Sequence, residues 1–141
     1  MGKILALDYG TKRTGVAETD SLRIIATALP TVPTTSLLEF IKSYIINEKP
    51  ETLVIGEPRQ LNGQPGLMEP YIQKLILQVG HEFPNLPIDR QDERFTSVMA
   101  QRSILQAGVP KMKRRDKGLV DGVSATLILQ AYMDRTQKNT L

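Results

Sequence analysis

The chain has 141 residues, the length of one compact domain able to bury a core without covalent staples. It has no cysteine and a single histidine, His81, which excludes a disulfide framework, a thiolate zinc site and a histidine metal cluster, so any bound metal must be held by oxygen. The net charge is +3, a mild excess, and no apolar run approaches the length needed to span a bilayer, so a soluble, cytoplasmic protein without membrane partners is expected.

Lys3-Ile4-Leu5-Ala6-Leu7-Asp8 is a short apolar run closed by an acid and then by Tyr9-Gly10, the form of a buried strand that ends in a turn. After Thr11-Lys12-Arg13, residues 14–19 and then 23–29 read as extended, with Asp20-Ser21 as their hairpin connection. Pro33 stops this third strand, and Thr34 or Thr35 is placed to cap a helix. Leu37, Leu38, Phe40, Ile41, Tyr44 and Ile45 then recur at helical spacing up to Asn47. Pro50 breaks that helix. Thr52-Leu53-Val54-Ile55-Gly56 is a β-branched run that predicts a fourth strand buried on both faces. Residues 57–66 form an irregular loop with two prolines and two glycines. Tyr71, Ile72, Leu75, Ile76 and Val79 then mark a second amphipathic helix, with Tyr44 and Tyr71 assigned to the core. Residues 86–91 predict a short fifth strand whose Pro87 implies an edge position, and helices are expected over 96–107 and 117–135, joined by a basic loop. This order predicts an α/β layer architecture, one domain over residues 1–135 and a frayed polar tail over 136–141.

Three acids stand where chemistry is plausible. Asp8 closes the first strand, where a carboxylate is either a turn former or a rigidly held metal ligand. Glu93, in Asp92-Glu93-Arg94, follows the fifth strand and reads equally as a helix N-terminal acid. Asp121 lies near the start of the last helix among small and apolar residues, where a charge is expensive unless paired, ligated or open to a cleft. Two strand ends and a helix start can bring such acids to one sheet edge. Oxygen ligands of this kind suit Mg²⁺ or Mn²⁺, which activate water and neutralise charge in phosphodiester displacement. Lys12 and Arg13 beside the first strand, and the cluster containing Lys113, Arg114 and Arg115, offer two basic edges to a polyanion, although a lone cluster of this kind is commonly just solvated surface.

Residues 8–17, Asp-Tyr-Gly-Thr-Lys-Arg-Thr-Gly-Val-Ala, resemble the opening signature of the YqgF/RuvX family, bacterial proteins described as Holliday junction resolvases or as nucleases of precursor 16S ribosomal RNA. Val54-Ile55-Gly56 followed by Pro58 and Gly63, Asp92-Glu93-Arg94-Phe95-Thr96-Ser97 with Ala100, and Val120-Asp121-Gly122-Val123-Ser124-Ala125 carry the resemblance in the family's order along nearly the whole chain. The resemblance implies an RNase H-like fold, with a five-stranded mixed sheet in the order 3-2-1-4-5 and strand 2 antiparallel. It also implies catalytic and metal-binding roles for Asp8, Glu93 and Asp121, and phosphate contacts for Lys12 and Arg13. Arg94 either orients Glu93, grips a phosphate or forms a surface ion pair. Glu57 departs from the apolar residue usual after the fourth strand's glycine; it is a candidate fourth ligand, with pairing to Arg59 the simpler reading. Gly122 replaces a bulkier residue and only loosens a helical turn. Thr96 and Ser97 are read as helix caps and His81 as a surface residue at a helix end.

The leading expectation is a metal-dependent endonuclease of structured nucleic acid, most simply one that matures the 5′ end of precursor 16S rRNA, with junction resolution as the alternative. Phosphate contacts do not separate RNA from DNA. Asp-x-Gly-Thr also opens phosphate-binding ATPase domains, but those clasp nucleotide between two halves. A non-catalytic nucleic-acid or antitermination factor would gain nothing from carboxylates clustered beside phosphates. Monomer and homodimer are both open, since symmetric junction cutting needs two active sites.

Overall fold

A computed structural model describes residues 2–60, 62–93 and 117–137, and of residues 117–121 it describes the backbone. The strands are β1 (Ile4–Asp8), β2 (Arg13–Thr19), β3 (Ala26–Pro33), β4 (Thr52–Glu57) and β5 (Ile88–Asp92). The helices are α1 (Leu37–Glu48), α2 (Glu69–Glu82) and α3 (Lys117–Gln137), and a 3-10 turn over Thr34–Ser36 precedes α1. The helix expected over 96–107 and the basic loop after it lie outside the described residues.

The five strands form one sheet in the order β3-β2-β1-β4-β5. β2 is antiparallel to β1 and β3, whereas β1, β4 and β5 run parallel. Side chains alternate across a pleated sheet, and here the alternation sorts the core into two layers. Leu5, Leu7, Leu53 and Ile55 face α1 and α2, and Ile4, Ala6, Ala17 and Val54 face α3. β1 and β4 are thus covered on both sides, as their continuous apolar runs imply. The parallel β1, β4 and β5 end at one sheet edge, which gathers Asp8, Glu57 and Asp92 there.

Several boundaries shift, each for a local reason. The connection from β2 to β3 runs through residue 25, not through Asp20-Ser21 alone. The Asp20 carboxylate accepts from the backbone N–H of Ile24 and Ile25, and Arg23 takes a positive φ of 58°, so the chain cannot become extended before Ala26. Thr34 makes no helix cap; its hydroxyl donates to the Gly10 carbonyl and meets the Thr14 hydroxyl, while its N–H donates to the Lys12 carbonyl. That latch ties the entrance of α1 to the β1–β2 turn. The turn is tight enough that a Cβ on Gly10 would lie 2.3 Å from the Arg13 carbonyl oxygen. β5 begins at Ile88 because Pro87 offers no N–H, and it lies at the sheet edge as Pro87 suggests. α3 continues through Thr136 and Gln137, with the Thr136 hydroxyl donating to the Tyr132 carbonyl. No described helix is long and apolar enough to cross a membrane.

α1 ends at Glu48, and Lys49, between it and Pro50, caps it in the left-handed conformation (φ 48°, ψ 59°) while its N–H donates to the Ile45 carbonyl. A residue with a Cβ is strained there and glycine is not. Lys49→Gly is expected to raise stability by about 0.5–1 kcal/mol, the strain relieved less the extra chain entropy of glycine. Urea unfolding checks this, and an unchanged or lowered midpoint would contradict it.

Candidate active site

The sheet edge formed by the ends of β1, β4 and β5 gathers the candidate acids. Asp8 is the last residue of β1 and opposes Gly15 of β2. By alternation with Ile4 and Ala6 it faces the α3 side. Glu93 directly follows β5 and prolongs its pairing with β4, its N–H donating to the Glu57 carbonyl. Asp92 points outward, whereas the Glu93 side chain turns in over Gly56 of β4.

Gly56 makes that turn-in feasible. A Cβ at this position would lie 2.2 Å from Glu93 Oε2 and 2.8 Å from Ile128 Cδ1 of α3. Any side chain at 56 therefore has to displace the Glu93 carboxyl, and the glycine after Val54-Ile55 is explained by this close approach. The Glu93 carboxyl is buried against Asp8 and hydrogen-bonded to it. Its Oε2 is buried with no hydrogen-bond partner among the described residues.

Electrostatics follow from this packing. Burial, then the charge of Asp8 and the hydrogen bond with it, push the Glu93 pKa up to about 9, against a smaller opposing pull from Arg90. Two carboxylates in contact cannot both be ionised cheaply in a desolvated setting, so without a cation the pair retains a proton.

Arg90 supports the floor of the site from the opposite face. Its guanidinium donates to the carbonyls of Ile55 (3.1 Å) and Gly56 (2.9 Å) and makes a two-pronged pair with Glu69 at the start of α2 (2.8 Å to each oxygen). Arg90 thereby fixes the peptide of Gly56 and joins α2 to the end of β4. Sequence reasoning missed Arg90, Glu69 and the contact role of Gly56. The available signal was a charged residue inside a strand pattern, Ile88-Asp89-Arg90, which only makes sense if its charge is paired.

The other expected site residues are distributed as follows. Glu57 pairs with Arg59 (3.0 Å), as its simpler reading held. Lys12 is exposed in the β1–β2 turn at this same edge, and Arg13 opens β2 and is half-buried. Of Asp121 the structure describes the backbone, in the second turn of α3; its neighbour Gly122 lies against Ala28 of β3, two strands from β1. Arg94, Lys113, Arg114 and Arg115 lie outside the described residues. Among the described residues no group of three or more acidic or histidine ligands is assembled.

The profile of the family described as RuvX, Holliday junction resolvase, matches residues 2–135. The chain belongs to the RuvX family. Relatives extend over nearly the whole length: a Porphyromonas gingivalis protein named "Putative pre-16S rRNA nuclease" is 52% identical over 98% of this chain and 100% of its own. A protein of the same name from Christiangramia forsetii is 50% identical over 94% and 98%. In three dimensions the chain is similar to Thermus thermophilus RuvC, alone (TM-score 0.55, covering 96% of each chain) and in complex with a Holliday junction substrate (TM-score 0.54, covering 96% and 97%). Both are 14% identical to it, a likeness that establishes the RNase H-like fold.

The RuvX chain in metal-free solution is expected to lose stability as pH rises. Glu93 ionises near 4.5 when unfolded and near 9 when folded, so between these values the folded state binds the extra proton and each pH unit costs at most about 1.4 kcal/mol. Glu93→Gln keeps the shape without the charge and should flatten that dependence. Urea unfolding in chelator from pH 5 to 9 measures it; parallel pH curves for parent and variant would refute the assignment.

Proposed function

We propose that this chain is a metal-dependent nuclease that hydrolyses phosphodiester bonds and processes the 5′ end of precursor 16S rRNA in the cytoplasm. The observation that carries the proposal is the contact of Asp8 with Glu93 at the end of a RuvC-like sheet, with one buried carboxylate oxygen of Glu93 that has no hydrogen-bond partner among the described residues. Such a pair is costly by itself and suits a hard divalent cation, Mg²⁺ or Mn²⁺, which takes carboxylate oxygens and keeps water. The names of the relatives support the RNA substrate.

Asp8 and Glu93 would hold the cation. Asp121 would complete the set, on the strength of the family motif Val120-Asp121-Gly122 rather than of any described side-chain contact. When bound, the cation supplies the Lewis acidity that activates water and offsets charge on the phosphate. The chain's own part is to hold the carboxylates rigid through Gly56 and Arg90 and to grip the flanking backbone. Lys12 and Arg13 are assigned to phosphates on the β2 side, and Arg94, Lys113, Arg114 and Arg115 to the rest of the strand. Residues 1–135 would form the nuclease domain. A single site suffices for trimming an RNA end, so a monomer is enough, whereas symmetric resolution of a four-way junction would require a dimer.

Labelled precursor 16S RNA and a four-way DNA junction, incubated side by side with Mg²⁺ or Mn²⁺, test the proposal. RNA cutting that Asp8→Asn reduces on the order of 10³-fold is the expected result, several kcal/mol of transition-state stabilisation being removed. Junction cutting alone would replace the RNA substrate with branched DNA, and cleavage of both at the parent rate by Asp8→Asn would overturn the metal mechanism.

A further inference from the structure

A second concavity opens on the opposite face of β1 from the acids. Strand alternation sends Asp8 toward α3 and the next residue, Tyr9, toward α1 and α2, where it packs on the core beside Leu7. There Tyr9, Thr35, Leu38, Tyr71, Lys74 and Gln78 surround a cavity of about 240 Å³. This is below the roughly 300–1,000 Å³ that drug-sized ligands fill, so it suits a single ring system.

Its walls combine the chemistry that receives an unstacked base. Tyr71, Lys74 and Gln78 recur at positions i, i+3 and i+7 on one face of α2. Tyr71 is not in the core as its helical spacing predicts; it is 59% exposed at the cavity, an aromatic ring left in water in the absence of a partner. Lys74 supplies positive charge, and Gln78 an amide able to donate and accept. The wall is also fixed relative to the catalytic edge, because Thr34, which lines it, is latched to Gly10 and Lys12 of the β1–β2 turn.

We propose that this cavity is a base-binding subsite, in which one unpaired nucleobase near the scissile phosphate stacks against Tyr71 and Tyr9 while Lys74 meets its backbone. This rests on the nuclease reading and deepens it. A strand laid across the end of β1 places phosphate over Asp8 and Glu93 on one face and a neighbouring base in the cavity on the other. Aromatic stacking of this kind favours single-stranded nucleic acid over continuous duplex.

The test uses a 5′-labelled single-stranded RNA bound in chelator, read by fluorescence anisotropy, against parent, Tyr71→Ala and Tyr71→Phe, with unfolding curves confirming that each is folded. Tyr71→Ala is expected to weaken binding five- to a hundredfold, with Tyr71→Phe close to parent. Removing one base from the RNA should cost the parent a similar factor at a single position and cost Tyr71→Ala almost nothing further. Equal affinity of Tyr71→Ala and parent, or base-removal losses as large for the variant as for the parent at every position, would overturn the subsite while leaving the nuclease reading intact. A parent that neither binds nor cuts RNA would overturn both.

Discussion

The architecture of the candidate active edge depends on one close approach: the Glu93 carboxyl lying over Gly56 and against Asp8. Burying a carboxyl beside another carboxylate opposes folding, so its retention needs a return elsewhere. A cation bound between them would provide one. The surrounding structure is arranged to keep the approach close. Parallel β1 and β4 bring Asp8 and Gly56 to one edge, Ile128 fills the space beside the glycine, and Arg90 clamps the Gly56 peptide from beneath.

The two faces of the sheet present different chemistry at this end. On the α3 side the pleat presents acids; on the α1 and α2 side it presents an aromatic, polar cavity. Both are anchored to the end of β1, and the Thr34 latch makes the turn between β1 and β2 common to them. Because the Arg90–Glu69 pair ties α2 to β4, the helix bearing Tyr71 and the floor beneath Glu93 are held together. Two-pronged pairing to both Glu69 oxygens, with the Ile55 and Gly56 carbonyls accepting from Nε and Nη2, compensates the Arg90 charge where a lone buried cation would be untenable.

Much of this was legible from the residues. The apolar run before Asp8 and the β-branched run through Ile55 identify central strands, because a strand buried on both faces has no polar alternation to show. The motifs at residues 8–17 and 92–97 led to the family and the sheet order. What stayed hidden was what depends on partners distant in sequence. Tyr71 has the spacing of a core residue, and nothing local reveals that its ring faces an open cavity. Thr34 has the position of a cap, but bonds back to Gly10 across 24 residues. Glu93 next to a helix-like segment passes for a dipole-favoured acid; only the space over Gly56, which its carboxyl fills, shows where it goes.

The most direct test of the central claim is a crystal soaked in Mn²⁺ with data collected at the manganese edge. The account predicts an anomalous peak between Asp8 and Glu93, about 2.0–2.2 Å from a carboxylate oxygen of each, lost in Asp8→Asn crystals. A well-ordered edge with no peak at saturating Mn²⁺, or a peak bound elsewhere, would contradict it.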